Sequence, residues 1–298
     1  MASEAFEQFV DMLRSVRVGP DTPVADQRSG YDLLGSMRDL ADGVTDEGVS
    51  AGAVEGAWLR PTDPAPDRAV LYLHGGGYVI GSPTSHRVLA SHLAVAARTP
   101  VFVVDYRLAP EHPFPAALDD AIAAYHFVLA GGVDAEGLVV AGDSAGGGLA
   151  AALCLRLRDE GARQPAGAVL LSPWTDLTLV SPSVEANADT EVLLSRDLLE
   201  DWAAKYAGAH PDGLTAPLVS PVYADVSALA PMLVLAAAEE QLRDDATRFA
   251  TQVRAAGGDI TCIVENDRFH VWPSLAGLAP EADHAMAAIG TWIEEVVH

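Results

Sequence analysis

The stretch VVAGDSAGGGLA, Val139 to Ala150, decides the fold. Apolar and small residues run into glycines gathered around one serine, and the run AALCLRLRDEGA follows. This is the pattern of a strand turning sharply into a helix. Two kinds of chemistry use such a turn. A phosphate-cradling loop needs Lys and then Ser or Thr after its last glycine. Gly148 and Leu149 occupy those places. A dinucleotide fingerprint, G-x-G-x-x-G, fails because Ser144 stands where its second glycine belongs. G-x-S-x-G fits from Gly142 to Gly146, as a nucleophile elbow would. There the serine sits on a strained turn, and bulk two residues before or after it would clash. The motif is short and made of common residues, so the rest of the chain must decide.

Composition sets the limits. With 298 residues, half of them hydrophobic, the chain can bury one large core with room for a small subdomain. Its apolar runs stop well short of the about eighteen residues a membrane span needs. The opening MASEAFEQFVDMLRS is acidic and amphipathic and does not read as a secretory signal. A formal charge of -24, with Lys205 the one lysine, gives a surface that repels nucleic acid and anionic membranes. Cys154 and Cys262 read as buried free thiols, and a cytoplasmic location is expected.

Strand-like and helix-like segments alternate along the chain. AVLYLHG (from Ala69), PVFVVDY (from Pro100), GLVVAGD (from Gly137), GAVLLSP (from Gly167), MLVLAAA (from Met232) and DITCIVE (from Asp259) are short, apolar and turn-bounded. They carry the marks of strands buried on both faces. Helical patterns lie between them, at Arg87 to Arg98, Pro115 to Ala130, Ala145 to Gly161, Leu242 to Ala256 and Glu281 to Val297. The alternation predicts an α/β fold with a mostly parallel central sheet flanked by helices. VEGAWLRP, Val54 to Pro61, is expected on an antiparallel edge.

Two regions break the alternation: residues 1–45, where Phe6, Phe9, Val10, Leu13 and Val16 recur at helical spacing, and residues 176–217. In α/β enzymes ligands bind at the carboxyl ends of the strands, and such segments commonly cover that end. Both are expected to form a small helical cap over a core of residues 46–298, or else plain surface helices.

A serine nucleophile needs a base, an orienting acid and donors for the oxyanion. LHGGGYVIG, Leu73 to Gly81, supplies the donors, because three glycines after a strand end let backbone N–H groups turn inward. With the N–H of Ala145 they would make a three-donor hole. Hydrolases of this kind order the triad Ser, acid, His. Of nine histidines, His86, His92, His126 and His284 fall on helix faces and His298 at the terminus. His112 precedes a proline and His210 lies in the cap insertion. His270, in ENDRFHVWP, follows the last core strand by a short loop and can reach Ser144. The acid should follow MLVLAAA, where Glu239, Glu240, Asp244 and Asp245 stand.

HGGGY, DYRLAPEHPFPA (Asp105 to Ala116), GDSAGGGLA, LSPWTDLT (Leu171 to Thr178) and QLRDDATRF together resemble the bacterial hormone-sensitive-lipase-like esterases, from about Arg68 onward. The resemblance implies an α/β-hydrolase core with a helical cap built partly from the N-terminus. It implies hydrolysis of small-molecule esters of short to medium acyl chains, without a cofactor or metal, and it is compatible with a homodimer. Residue by residue, it makes Ser144 the nucleophile, His270 the base, and Gly76, Gly77 and Ala145 the oxyanion donors, with His74 and Gly75 shaping that loop. Glu240 falls on the acid of the family pattern Asp-x-Leu-x-Asp, where aspartate is commoner. Asp105, Arg107 and Glu111 are expected to form a charge network bracing the loop. A lactone hydrolase or an N- or O-acetyl hydrolase would share the triad. A ligand-binding protein of the same fold is the other alternative, and the presence of His270 argues against it.

Overall fold

The structure is a computed structural model and describes residues 2–15, 19–52 and 54–297. Its strands are β1 (Val44–Ala51), β2 (Val54–Pro61), β3 (Ala69–Leu73), β4 (Val101–Val104), β5 (Leu138–Asp143), β6 (Gly167–Leu171), β7 (Met232–Ala237) and β8 (Ile260–Glu265). Its helices are α1 (Glu4–Ser15), α2 (Val24–Ser36), α3 (Pro83–Ala96), α4 (Ala116–Ala130), α5 (Ala145–Asp159), α6 (Ser183–Ala186), α7 (Arg196–Ala207), α8 (Arg243–Ala255) and α9 (Pro280–Val296). The strands form one sheet in the order β1-β2-β4-β3-β5-β6-β7-β8. β2 runs antiparallel to both neighbours, and every pair from β4 to β8 is parallel.

Successive side chains of a strand point to opposite faces, so each inner strand feeds two cores. Leu71, Leu73, Val140 and Leu170 pack with α4, α5 and α8 on one face. Val70, Tyr72, Val139 and Leu171 pack with α3 and α9 on the other. Leu71, Leu73 and Val140 are fully buried, and burying each such side chain stabilises the fold by about 1.5–3 kcal/mol. The apolar runs are long because both faces are covered.

The sequence reading differs from the structure at both edges. β1, VTDEGVSA, falls partly in the segment assigned to the cap, yet it pairs along its whole length with β2. Most of its residues are exposed, so a backbone ladder rather than apolar burial holds it. β8 was expected to be buried on both faces. It closes the opposite edge of the sheet, and Ile263 and Val264 are exposed.

The N-terminal helices dock on this core. Phe6 is buried against the Phe269 ring, with centroids 5.2 Å apart. The Ser3 hydroxyl donates to Glu281 in the first turn of α9 at 2.9 Å. Val16 and His298, named above, lie outside the described residues.

Candidate active site

Ser144 directly follows β5 and caps α5, with φ 53° and ψ −122°. A residue with a side chain seldom holds a positive φ unless its surroundings impose it. Here the Ser144 N–H donates to the Leu171 carbonyl at 2.8 Å, and its carbonyl accepts the Trp174 N–H at 2.9 Å. The flanking glycines have the expected steric reason. A Cβ on Gly142 would lie 2.3 Å from the Gly146 carbonyl oxygen, and one on Gly146 would lie 2.0 Å from that of Leu73.

His270 is buried in the loop after β8, with its Nδ1 at 3.1 Å from Glu240 Oε2. If Nδ1 carries the proton donated to the carboxylate, Nε2 is left as an acceptor. Nε2 is buried without a partner among the described residues, and His270 lines the same cavity as Ser144. The next residue, Val271, holds φ at 57° while its N–H donates to the Ser172 hydroxyl at 3.0 Å. Burial disfavours a charged imidazole, but the hydrogen bond and charge of Glu240, with Glu191 and Asp143 behind it, raise the His270 pKa. The Glu240 carboxyl is itself raised, by burial first and by Glu191, against the lowering effect of His270 and Ser172.

The other acids after β7 turn elsewhere. Glu239 Oε2 accepts the Arg268 N–H at 3.3 Å. Asp244 takes the Ser183 N–H and the Arg243 guanidinium. Asp245 takes the N–H groups of Thr175 and Asp176 and the Ser181 hydroxyl. Among the described residues, Glu240 alone of these four is bonded to His270.

Gly76 lines the cavity, and Gly76 and Gly77 hold φ at 113° and 61°. Among the described residues, nothing accepts the N–H of either glycine. The Ala145 N–H lies in the first turn of α5, where a helix leaves its donors unpaired. Among the described residues, the N–H groups of Gly76, Gly77 and Ala145 are therefore left without a backbone acceptor.

A buried network backs this loop. Asp143 Oδ1 accepts the Gly75 N–H at 3.0 Å and the Tyr72 hydroxyl at 2.8 Å, and His86 Nε2 lies 3.3 Å from Oδ2. Burial resists charge on Asp143, but His86, Tyr72 and His74 outweigh it and hold the carboxyl below its ordinary pKa. His74 stacks on Tyr106 at 4.0 Å, and burial, then the charge of His86, lower its pKa to about 3. His86 is not the outward helix-face histidine that its sequence position suggests. It points inward from the first turn of α3, and its place just after the glycine loop was the usable signal.

The expected charge network of Asp105, Arg107 and Glu111 does not form. Arg107 forks onto Asp120 and Glu111 pairs with Arg28 of α2, while on Asp105 desolvation first, then the charges of Glu55 and Asp32, raise the pKa. Nothing in the sequence around Arg28 signals its role. Its guanidinium also donates to the Val79 and Ala109 carbonyls, both at 2.9 Å.

The cavity over Ser144 holds about 290 Å³. Phe9 and Leu13 of α1, Leu34 of α2, and Leu198 and Trp202 of α7 wall it. Both regions that broke the strand–helix alternation thus reach the site.

Residues 70–274 match the family described as alpha/beta hydrolase fold. An acetyl-hydrolase of Streptomyces hygroscopicus is 40% identical over 246 residues, covering 82% of this chain and 81% of that protein. An ethyl acetate hydrolase of Pseudomonas putida is 37% identical over 234 residues, covering 76% of this chain and 73% of that one. The crystal structure of an esterase from the bacterial hormone-sensitive lipase family superposes with a TM-score of 0.96 at 38% identity over 100% of both chains. Sheet order, elbow and these likenesses define an α/β-hydrolase. Within that class the chain belongs to the bacterial hormone-sensitive-lipase-like esterases, and it is a carboxylic ester hydrolase.

Proposed function

We propose that Ser144, His270 and Glu240 are the catalytic triad of this esterase. In this reading neutral His270 takes the Ser144 proton at Nε2 as the serine oxygen attacks the acyl carbonyl. The N–H groups of Gly76, Gly77 and Ala145 hold the developing oxyanion. His270 then protonates the leaving alcohol, and water resolves the acyl-enzyme by the same steps in reverse. One observation carries the reading: His270 is bonded to Glu240 through Nδ1, its Nε2 has no partner among the described residues, and the residue lines the cavity that Ser144 also lines.

The proposed substrate is a small ester with a short to medium acyl chain. The volume supports it, since about 290 Å³ lies at the small end of ligand sites, which span about 300–1,000 Å³. The acetyl-hydrolase and ethyl acetate hydrolase relatives favour the short end of that range. Residues 1–45 and 176–217 are proposed as the cap, supported by their side chains in the cavity wall. Among the described residues, no helix is long and apolar enough to cross a membrane. The free thiols Cys154 and Cys262 support a cytoplasmic location, and sedimentation would test whether the chain forms a homodimer.

The test is Ser144→Ala, assayed on p-nitrophenyl esters of increasing chain length beside lactones and acetamides. Turnover is expected to fall on the order of a million-fold with an unchanged circular dichroism spectrum. A variant that retains about a tenth of the wild-type rate overturns the elbow reading.

A further inference from the structure

We propose that Glu191, in the cap insertion, is a positioning residue: it holds the Glu240 loop in register with His270 and places a second negative charge behind that ring. The inference rests on the triad reading above.

Glu191 is a carboxylate only 4% exposed. Its Oε1 accepts the N–H groups of Val192, Leu193 and Leu194 at 2.8, 2.9 and 3.3 Å. Its Oε2 accepts the Gln241 N–H at 2.9 Å. Four backbone donors thus converge on one buried carboxylate. Capping its own turn would need Oε1 alone. Oε2 instead reaches fifty residues along the chain, to the residue directly after Glu240.

The surrounding insertion grips the same loop. Asn187 Nδ2 donates to the carbonyls of Ala238 and Glu240 at 2.9 and 2.7 Å. The Thr190 hydroxyl donates to the Glu239 carbonyl at 2.9 Å, and the Ser183 hydroxyl to that of Gln241 at 2.6 Å. The Ala238 N–H still donates to the Glu265 carbonyl, and Arg243 also reaches the carbonyls of Ala238 and Glu240, but the insertion supplies the partners of the Glu239 carbonyl and of the Gln241 N–H and carbonyl. On its other side this turn presents Leu193 and Leu194 to the cavity. One turn therefore joins the substrate wall to the acid.

The charge matters because His270 becomes an imidazolium during the reaction. Burial opposes that charge, while Glu240, Glu191 and Asp143 favour it. Arg268, two residues before His270, is turned to Glu265, and Arg38, on the cavity wall, is held by the carbonyls of Ser274 and Ala276. Field from a fixed anion is worth most where water is excluded.

The experiment is the pH dependence of kcat and KM on p-nitrophenyl acetate for the full-length wild type, Glu191→Gln and Glu191→Asp. Glu191→Gln keeps the shape, removes the charge and sets an amide donor against either Gln241 or the three-amide turn. Its kcat is expected to fall about 10- to 100-fold with KM within about twofold, and its acid limb to move to lower pH. Glu191→Asp keeps the charge but draws it back from Gln241, so kcat should fall while the limb stays near the wild-type position. A Glu191→Gln enzyme with an unmoved limb overturns the proposal, whatever its kcat. Should Glu191→Gln not fold, an Asp variant of undiminished kcat overturns it instead. Labelling of Ser144 by a fluorophosphonate separates this failure from failure of the triad. A labelled Ser144 beside a silent Glu191→Gln sinks the positioning role alone.

Discussion

Trp202 stands on Gly77 so closely that a Cβ on the glycine would lie 2.1 Å from the indole Cε3. The same indole donates through Nε1 to Gln27 Oε1 at 3.2 Å and walls the cavity. Gln27 belongs to α2 and Trp202 to α7, so both proposed cap regions meet at the oxyanion loop. Seating of the cap and placement of the Gly76 and Gly77 N–H groups are thereby one mechanical problem.

Gly77→Ala tests that coupling. The methyl must displace a buried ring, at about 1–3 kcal/mol of stability, and it would tilt the donors. Loss of one aligned donor is expected to lower kcat/KM about 100-fold. Adding Trp202→Leu should recover much of the melting temperature, because the obstacle is gone. Additive losses in the double variant would show that the two residues do not push on one another.

The Glu240 assignment has a pH signature and a mutational one. Burial alone would lower the His270 pKa, but Glu240, Glu191 and Asp143 raise it. The base works when neutral, so kcat/KM should climb with pH through a midpoint above the about 6.5 of an ordinary histidine. Glu240→Gln is expected to cut turnover roughly 1,000- to 10,000-fold through the wrong tautomer and a less stabilised imidazolium. Glu240→Asp should restore part of it, being about one bond too short. Glu239→Gln, whose carboxylate accepts the Arg268 N–H and no other donor among the described residues, should be nearly silent. An Asp244→Asn enzyme that folds but is dead, beside an active Glu240→Gln, would reassign the acid.

What could be read from sequence, and what could not, follows from the range of the interactions. The inner strands and the elbow were legible because local pattern determines them: apolar runs buried on two faces, and glycines where a Cβ has no room. That Glu239 and Glu240 would not both reach His270 was legible, because neighbours past a strand end point apart, and their carboxylates do, but the choice of Glu240 rested on the family resemblance. β1 was not legible, since a ladder of backbone bonds leaves no hydrophobic signature in VTDEGVSA. His86 and Arg28 were missed for another reason. Each looks like an ordinary polar residue on a helix, and its partners, Asp143 for one and Val79 and Ala109 for the other, are more than fifty residues away.

Arg28 gives the last prediction, which separates a cap that only covers the site from one that shapes it. Its guanidinium holds the carbonyls of Val79 and Ala109 and the carboxylate of Glu111. Val79 stands two residues after Gly77, so this grip fixes the far end of the oxyanion loop. The pairing with Glu111, which is more than half exposed, contributes little, about 0–1 kcal/mol for a surface ion pair. The two carbonyl bonds are the ones that count, and a charged donor makes each worth about 1.5–3 kcal/mol. Arg28→Ala should therefore lower kcat on p-nitrophenyl acetate about tenfold and weaken a boronic-acid transition-state analogue by a similar factor. Arg28→Lys should recover little, because one ammonium cannot reproduce the fork. Glu111→Gln should behave as wild type. Deleting residues 1–40 removes Arg28 and Gln27 together, and should match or exceed the Arg28→Ala loss while also shifting chain-length preference. If Arg28→Ala keeps wild-type kcat and analogue affinity, α2 covers the cavity without setting its donors.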